Sequence, residues 1–238
     1  MTSPLAISVD VPALPVAPIE GSAWVFPVGR IFCVGRNYEA HAREMGSDPT
    51  REPPFFFTKF AQDLVPGGGA LPYPPETRDF HHEGELVIAV GKPGFALAPG
   101  EALDVVFGYA AGLDMTRRDL QFAARDKGRP WDLGKNFSGA APLGAIRPVE
   151  QGGHVPRGGL VLSVNGKVRQ EGRIEHMIWS PAEILAHLSR YERLLPGDLI
   201  FTGTPAGVAA VVPGDVIELR IEGLSPLVVH VTPPEGSN

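Results

Sequence analysis

Two carboxylates stand two residues apart at the head of an apolar run. Glu83 and Glu85 precede Leu86-Val87-Ile88, which has the composition of a β-strand. Because residues i and i+2 of a strand point to the same face, the two carboxylates are expected side by side, next to buried surface. Like charges held that close repel unless a proton or a cation lies between them. Ligation by carboxylates alone favours a hard divalent cation, Mg²⁺, Mn²⁺ or Ca²⁺, over zinc.

A third acidic residue, Asp114, follows another apolar stretch and precedes a segment with helical character. Its alternative role is that of a helix N-cap, which is a common use of Asp. Because Glu83 and Glu85 are present, we favour metal ligation for Asp114. Three carboxylates would leave coordination positions open for water and substrate, as a catalytic site for a hard cation requires.

A base could be supplied by His41 and Glu44, which are three residues apart on a short helix predicted over Tyr38 to Met45. Residues at this spacing share a helix face, and a carboxylate that orients an imidazole makes a general base able to activate water. Taken alone the pair is weak, because His and Glu are common on exposed helix faces. Lys135 is likewise either a surface charge or an anion-binding group.

Two further segments could face a substrate. Arg118 and Gln121 are three residues apart on a helix predicted to begin at Thr116, so both side chains could point into a pocket. The segment Gly203-Thr204-Pro205-Ala206-Gly207 follows a predicted strand, and its backbone N–H groups and the Thr204 hydroxyl could hold a carboxylate. The alternative for this segment is an ordinary tight turn.

The amino-acid composition limits the classes of protein to which the chain can belong. It has 238 residues, a hydrophobic content of 43% and a formal net charge of −6, so a general nucleic-acid or anionic-membrane binder is not expected. Cys33 is the single cysteine, which agrees with a cytoplasmic protein. We predict an extended arm over residues 1–22, where prolines recur, and one catalytic domain over residues 23–238.

Short strands and turns dominate the pattern, which predicts an α+β fold with a largely antiparallel or mixed sheet. Asn165-Gly166 lies between two strand-like runs and predicts a hairpin. Ser180-Pro181-Ala182-Glu183 has the features of a helix start: a capping Ser, Pro at the first helical position and Glu three residues after the cap.

These segments together resemble the fumarylacetoacetate hydrolase family, from about Phe26 to Val231. The matching motifs, in order, are Val34-Gly35-Arg36-Asn37-Tyr38, His82-Glu83-x-Glu85-Leu86, Gly112-Leu113-Asp114-Met115-Thr116, Arg118-Asp119-x-Gln121, Lys135, Val164-Asn165-Gly166, Gln170-Glu171-Gly172 and Thr202-Gly203-Thr204-Pro205. The resemblance implies a mixed β-sandwich roll that assembles as a homodimer. It also implies Mg²⁺ or Mn²⁺ held by Glu83, Glu85 and Asp114, in agreement with the strand geometry.

The same resemblance assigns roles to other residues. It implies that His41 and Glu44 activate water, which strengthens the helix-face argument. It further implies that Lys135 and Gln121 contact substrate oxygens and that Thr204 lies near the substrate carboxylate.

The implied activity is a metal-dependent hydrolase that cleaves a carbon–carbon bond of an acylpyruvate, a small anionic 2-oxo acid. Further motifs, among them Gly128-Arg129-Pro130-Trp131, resemble a branch that converts fumarylpyruvate to fumarate and pyruvate in gentisate degradation. Arg36 and Arg118 are then expected to bind the distal carboxylate. The alternative is an oxaloacetate decarboxylase or a keto–enol isomerase on the same fold, and a β-rich module without catalytic activity is a more distant one.

Overall fold

Two packed β-sheets form the body of the chain, and the computed structural model describes residues 12–46 and 52–236. In chain order the strands are β1 (Val16–Pro18), β2 (Val25–Pro27), β3 (Arg30–Gly35), β4 (Phe55–Lys59), β5 (Leu64–Pro66), β6 (Gly69–Pro72), β7 (Phe80–His82), β8 (Gly84–Val90), β9 (Val106–Leu113), β10 (Thr116–Arg117), β11 (Ala141–Leu143), β12 (Arg147–Pro148), β13 (Gly159–Val164), β14 (Lys167–Arg173), β15 (Asp198–Phe201), β16 (Ala209–Ala210), β17 (Val216–Ile221) and β18 (Leu227–Thr232). The α-helices are α1 (Glu39–Glu44), α2 (Arg118–Arg125), α3 (Asp132–Lys135), α4 (Val149–Gly152) and α5 (Pro181–Tyr191). Short 3₁₀ helices cover Ala61–Asp63, Ala102–Val105 and Ile174–His176.

The larger sheet has the strand order β4-β3-β15-β8-β9-β11-β5, and β12 pairs beside β9. It is mixed, since β15 runs parallel to β3 and β11 runs parallel to β5, whereas the other neighbours are antiparallel. The smaller sheet has the order β14-β13-β17-β18-β6. Two minor sheets, β10-β7-β16 and β1-β2, complete the set among the described residues. The predicted α+β class and sandwich roll are confirmed.

The main core lies between the two large sheets. Leu86 and Ile88 of β8 belong to the same buried cluster as Leu162 and Leu219 of the smaller sheet. Gly84 at the start of β8 makes this approach possible, because a Cβ there would lie 2.9 Å from Leu162 Cδ1 and 3.0 Å from Leu219 Cδ1. Its missing side chain therefore points to the smaller sheet, away from the neighbouring Glu85.

The opposite face of the larger sheet is also covered. Cys33, Val87 and Phe201 form a second buried cluster there, to which Phe26 of the β1-β2 hairpin contributes. Every residue of β8 is consequently buried, which explains its unbroken apolar run. Glu85 has the strand parity of Val87, so its carboxylate emerges on this second face.

The strand predicted at Leu86-Val87-Ile88 lies within β8, and the predicted hairpin at Asn165-Gly166 joins β13 to β14. One helix prediction was wrong at its start: α2 begins at Arg118, not at Thr116. Thr116 pairs with His81 in the β10-β7 ladder, and its hydroxyl donates to the Asp114 carbonyl. Strand pairing therefore replaces the first helical residues. The helix predicted over Tyr38 to Met45 is α1, one residue shorter at each end.

The predicted arm over residues 1–22 lies partly outside the described residues. Within it, Val16–Pro18 pairs with Val25–Pro27, and Ala17 is buried. The division at residue 22 stays a prediction. In the described part of the chain, no helix is both long and apolar enough to cross a membrane.

Helix α5 begins with the predicted capping box. The backbone N–H of Ser180 donates to the Glu183 carboxylate at 2.9 Å, and the Ser180 hydroxyl accepts from the Glu183 N–H at 3.4 Å. Pro181 stands at the first helical position. Both reciprocal bonds therefore satisfy groups that the helix itself leaves unpaired.

We expect Ser180→Ala to lower the free energy of unfolding by about 1 kcal/mol, because the hydroxyl that accepts the Glu183 N–H is lost. Chemical denaturation measures this change. Ser180→Thr, which keeps a hydroxyl, is the matched control and should lose clearly less. Equal losses in both variants would show that the cap contributes nothing.

Candidate functional site

Strand pairing brings the three predicted metal ligands together. Glu83 stands at the junction of β7 and β8, Glu85 lies within β8, and Asp114 directly follows β9. The antiparallel β8-β9 register aligns the two strand ends, and the Asp114 N–H donates to the Glu83 carbonyl at 2.9 Å. One carboxylate oxygen of each residue lies within 4.8 Å of the others, and all three side chains are buried. Asp114 precedes a strand, so it is not a helix N-cap.

Glu83 is held as a carboxylate by two cations. Lys135 Nζ donates to Glu83 Oε2 at 2.9 Å, and Arg118 Nη2 donates to Glu83 Oε1. Burial opposes ionisation of this group, but the charges of Lys135 and Arg118 outweigh burial and hold its pKa well below the usual range. Glu83 therefore carries a negative charge at neutral pH.

Glu85 is in the opposite situation. Burial, together with repulsion from Asp114 and Glu83, raises the pKa of Glu85 well above its usual range. The N–H of Gly203 donates to Glu85 Oε2 at 2.7 Å and opposes this shift without cancelling it. The cluster therefore lacks positive charge at Glu85, where a proton or a metal ion would supply it.

Asp114 lies between two lysines. Lys135 Nζ donates to Asp114 Oδ2 at 2.8 Å and to Thr116 Oγ1 at 2.7 Å. Lys59 Nζ lies 2.8 Å from Asp114 Oδ1. Attraction to Asp114 and Glu83 outweighs burial and raises the pKa of Lys135, which therefore stays an ammonium. Lys59 was not among the predicted site residues, and its only local signal is a lysine that ends the apolar strand Phe55–Lys59.

The side chains of His41 and Glu44, predicted to act together as a general base, are in contact. His41 Nδ1 lies 3.0 Å from Glu44 Oε2, and the Gly207 N–H donates to the same carboxylate at 3.1 Å. Burial raises the pKa of Glu44, but the bonds from His41 and Gly207 outweigh burial and lower it overall. An ionised Glu44 accepts only, so the proton of a neutral His41 is on Nδ1 and its Nε2 is the basic nitrogen.

Arg118 and Gln121 face the same region, as predicted. Arg118 is 2% exposed, and its Nη1 donates to Gln121 Oε1 at 2.5 Å. With its other contact on Glu83, the guanidinium is committed to protein carboxylate and amide groups. The Gln121 Nε2 group remains available to a bound molecule.

Arg36 lies at the edge of the site. It is exposed, its guanidinium lies 5.6 Å from the centre of the Phe55 ring, and its φ of 57° is in the left-handed region. Such a backbone costs energy in a non-glycine residue and is found most often at functional sites. Arg36 is thus the predicted arginine whose charge can still meet an anion from solution.

A buried network supports the glutamates from behind. Thr204 Oγ1 donates to the Gly84 carbonyl at 2.9 Å and accepts from Gln170 Nε2 at 2.7 Å. Gln170 Oε1 accepts from the Gly84 N–H at 3.0 Å and lies 3.1 Å from His82 Nδ1. Burial lowers the pKa of His82 to about 4, so this imidazole is neutral. The network fixes the backbone on both sides of Gly84, and sequence analysis gave no role to Gln170.

The turn 203–207 does hold carboxylates, but they belong to the protein. The Gly203 N–H binds Glu85 and the Gly207 N–H binds Glu44. Both glycines have a φ near 100°, and a Cβ on Gly207 would lie 2.0 Å from the Arg169 carbonyl oxygen. These positions therefore require glycine.

Nearly all predicted site residues line one cavity. Its lining includes all predicted site residues except Glu44, which contacts the lining residue His41; the members are Arg36, His41, Glu83, Glu85, Asp114, Arg118, Gln121, Lys135 and Thr204. Aromatic rings complete the wall, namely Phe55, Phe57, Phe122 and Trp131. A basic nitrogen, a carboxylate cluster and an ammonium thus share one partly apolar space.

The residues fit a hard divalent cation. Their donors are carboxylate oxygens, the ligands that Mg²⁺ and Mn²⁺ prefer, and the raised pKa of Glu85 marks a deficit of positive charge. Glu83, Glu85 and Asp114 form a group that can hold such an ion.

Comparison with known proteins identifies the family. The family model "Fumarylacetoacetate (FAA) hydrolase C-terminal" matches residues 30–232. A fumarylpyruvate hydrolase of Ralstonia sp. is 50% identical over 188 residues, which is 79% of this chain and 97% of that protein. A mitochondrial oxaloacetate tautomerase of Homo sapiens is 42% identical over 205 residues, or 86% and 92% of the two chains. The crystal structure of fumarylpyruvate hydrolase from Pseudomonas aeruginosa in complex with Mn²⁺ and pyruvate superimposes with a TM-score of 0.94 at 48% identity, covering 95% and 99%.

The affinity for Mn²⁺ should fall as the pH falls. The raised pKa of Glu85 means that the metal-free fold keeps a proton there above the pH at which an unfolded chain would release it. That proton stabilises the metal-free fold at low pH, and its contribution is lost as the pH rises through the raised pKa. Since the ion must displace the proton, one proton per site costs up to about tenfold in affinity per pH unit.

Calorimetric titration with Mn²⁺ between about pH 5.5 and 8 tests this linkage. Two buffers with different ionisation enthalpies give the number of protons released. A constant affinity with no proton release would contradict the assignment of Glu85.

Proposed function

Because this chain belongs to the fumarylacetoacetate hydrolase family, we propose that it is a metal-dependent hydrolase that cleaves the carbon–carbon bond of an acylpyruvate. Fumarylpyruvate is the proposed substrate, and fumarate and pyruvate are the products. The fumarylpyruvate hydrolases among its relatives support this choice.

The observation that carries the proposal is a base that faces the carboxylate cluster. His41 lines the same cavity as Glu83, Glu85 and Asp114, and Glu44 holds its Nδ1 at 3.0 Å. Hydrolysis needs a water molecule that is activated beside a bound 2-oxo acid. Decarboxylation and tautomerisation of oxaloacetate need the stabilised enolate but no attacking water.

In the proposed mechanism His41 Nε2 takes a proton from water as the oxygen attacks the distal carbonyl of the substrate. Ionised Glu44 keeps the ring in the required tautomer and stabilises the imidazolium. The resulting tetrahedral intermediate breaks its carbon–carbon bond, and the His41 proton completes the methyl group of pyruvate. The other product is the carboxylic acid, so one water molecule is consumed for each substrate.

Charge that develops during the reaction meets fixed donors. We assign Lys135 Nζ and Gln121 Nε2 to the oxyanion, because donors placed before the reaction stabilise a developing charge without reorganisation. Lys135 Nζ donates to Glu83, Asp114 and Thr116, so in this proposal it exchanges one of these partners for the substrate oxygen. Thr204 is assigned to the wall near the substrate carboxylate.

A divalent cation, Mg²⁺ or Mn²⁺, held by Glu83, Glu85 and Asp114 would supply Lewis-acid stabilisation to the enolate of the pyruvyl group. The cluster has three carboxylates and three cationic groups: Arg118 contacts Glu83, Lys59 contacts Asp114, Lys135 contacts both, and Glu85 has no cationic partner among the described residues. Those charges balance, so the ion leaves an excess of two positive charges. That excess suits a dianionic substrate.

We assign the distal carboxylate of the acyl group to Arg36. Of the two arginines predicted for this role, Arg118 is buried against Glu83 and Gln121, whereas Arg36 is exposed at the cavity edge. Phe55 lies beneath its guanidinium and would contact the apolar part of the acyl chain.

Similarity to enzymes that act on oxaloacetate supports a second candidate function. The 42% identical oxaloacetate tautomerase supports keto–enol isomerisation of oxaloacetate as the alternative activity, and a 39% identical oxaloacetate decarboxylase of Dictyostelium discoideum supports decarboxylation. We further propose that the protein acts as a homodimer in the cytoplasm, in the breakdown of aromatic compounds through gentisate. We also keep the division into an arm over residues 1–22 and a catalytic domain over residues 23–238.

A spectrophotometric screen of fumaryl-, maleyl- and acetylpyruvate and of oxaloacetate tests the proposed function. With Mg²⁺ or Mn²⁺, fumarylpyruvate should show the highest kcat/KM, since only the acylpyruvates use the activated water. Faster turnover of oxaloacetate than of every acylpyruvate would favour the alternative activity.

His41→Ala should reduce kcat for the acylpyruvate by roughly 10²- to 10⁴-fold, because general base catalysis is lost. Its Mn²⁺ affinity, measured by calorimetry, should stay unchanged, since His41 is not a ligand. Glu39→Ala is the matched control, because Glu39 lies exposed on the same helix and pairs with Arg43. An unchanged kcat in His41→Ala would remove the base from the mechanism.

A further inference from the structure

Lys59 is a buried cation that the mechanism above does not use. We propose that it is a positioning residue, which holds the Asp114 carboxylate and the Lys135 backbone in the arrangement that the cation and substrate require. The catalytic consequence rests on the proposed function, whereas the effect on metal binding does not.

The Lys59 ammonium contacts three oxygens. The side chain is fully buried, and its Nζ lies 2.8 Å from Asp114 Oδ1. It also donates to the Lys135 carbonyl at 2.6 Å and to the Met115 carbonyl at 3.1 Å. The ammonium thus donates two hydrogen bonds and forms one ion pair, with partners from the segment after β9 and from the end of α3.

The larger sheet fixes where this ammonium lies. Lys59 is the last residue of β4 and pairs with Ile31 of β3, which is fully buried. It shares a strand face with Phe57, whose ring lies 5.0 Å from Lys135 Nζ. A single strand therefore supports Lys135 twice, through a ring beneath its ammonium and through a bond to its carbonyl.

The two lysines divide the Asp114 carboxylate between them. Oδ1 lies 2.8 Å from Lys59 Nζ and Oδ2 accepts from Lys135 Nζ, so each oxygen of the carboxylate has its own cation. Without Lys59, Asp114 could rotate towards Lys135, and the Lys135 carbonyl would lose its partner. Partners of metal ligands that act in this way commonly affect metal affinity or activity by about 10- to 100-fold.

A role through charge alone has the opposite sign. Removal of a neighbouring positive charge would strengthen the binding of a cation to the three carboxylates. Removal of a positioning contact weakens that binding, because a ligand loses its orientation. Metal affinity therefore separates the two roles.

The test compares Lys59→Met with Lys59→Gln in the full chain. Calorimetric titration with Mn²⁺ should show about 10- to 100-fold weaker binding in Lys59→Met. Lys59→Gln keeps N–H donors without the charge and should recover part of the affinity. With an acylpyruvate, Lys59→Met should lower kcat more than it raises KM, since Lys135 is displaced.

Asp198→Asn is the control for a general loss of stability. Asp198 lies in β15 of the same sheet, and its buried carboxylate pairs with Arg30 at 2.6 Å, away from the cavity. It should lower the melting temperature and leave Mn²⁺ affinity at the wild-type value.

Wild-type or tighter Mn²⁺ binding by a folded Lys59→Met would overturn the proposal. Equal affinities of the Met and Gln variants would do the same. If Lys59→Met does not fold, Lys59→Gln alone decides, and it must bind Mn²⁺ more weakly than Asp198→Asn. A wild-type protein that hydrolyses no acylpyruvate would defeat the proposed function but leave the metal-binding comparison valid.

Discussion

Repulsion among three buried carboxylates is the constraint on which the arrangement around the cavity depends. One oxygen of each lies within 4.8 Å of the others in the buried cluster, where charges are screened little. The chain meets this with cations from three separate places: β4, the start of α2 and the end of α3, which supply Lys59, Arg118 and Lys135. Each cation is itself buried, so neither set of charges is stable without the other. The positions of these elements are thereby tied to one electrostatic balance.

The cations are distributed unevenly among the three carboxylates, and this distribution bears on metal binding. Glu83 has two cationic partners, whereas Glu85 has only a backbone N–H as its hydrogen-bond donor among the described residues. The pKa values of the two glutamates are accordingly moved in opposite directions. A fold that needed only internal stability would pair both groups alike. One carboxylate left without a cation is the arrangement expected where an ion from solution completes the site.

Much of the site could be predicted from local sequence. Period-two alternation put Glu83 and Glu85 on one face, strand ends located Asp114, and helical spacing joined His41 to Glu44. These inferences need only residues that are near in the sequence, where geometry is regular. The family resemblance then gave roles to Lys135, Gln121 and Thr204 that spacing alone left open.

Contacts over long sequence distances could not be predicted in this way. Lys59 contacts Asp114, 55 positions further along the chain, only because β4 and β9 belong to one sheet, and no local sequence feature predicts that strand order. Gln170 reaches Gly84 from the other sheet for the same reason. The start of α2 was misplaced because Thr116 pairs with a distant strand, and tertiary pairing overrides local helical preference there.

The turn between Gly203 and Gly207 joins two parts of the chemistry that arise far apart in the chain. The Gly203 N–H donates to Glu85 of the carboxylate cluster, and the Gly207 N–H donates to Glu44, which contacts the His41 imidazole. The length of this turn therefore sets the distance between the His41–Glu44 pair and the cation site at Glu85. An inserted or deleted residue would change that span even if every reactive side chain were retained. Related proteins should therefore differ in the aromatic residues that line the cavity far more readily than in the length of the 203–207 turn.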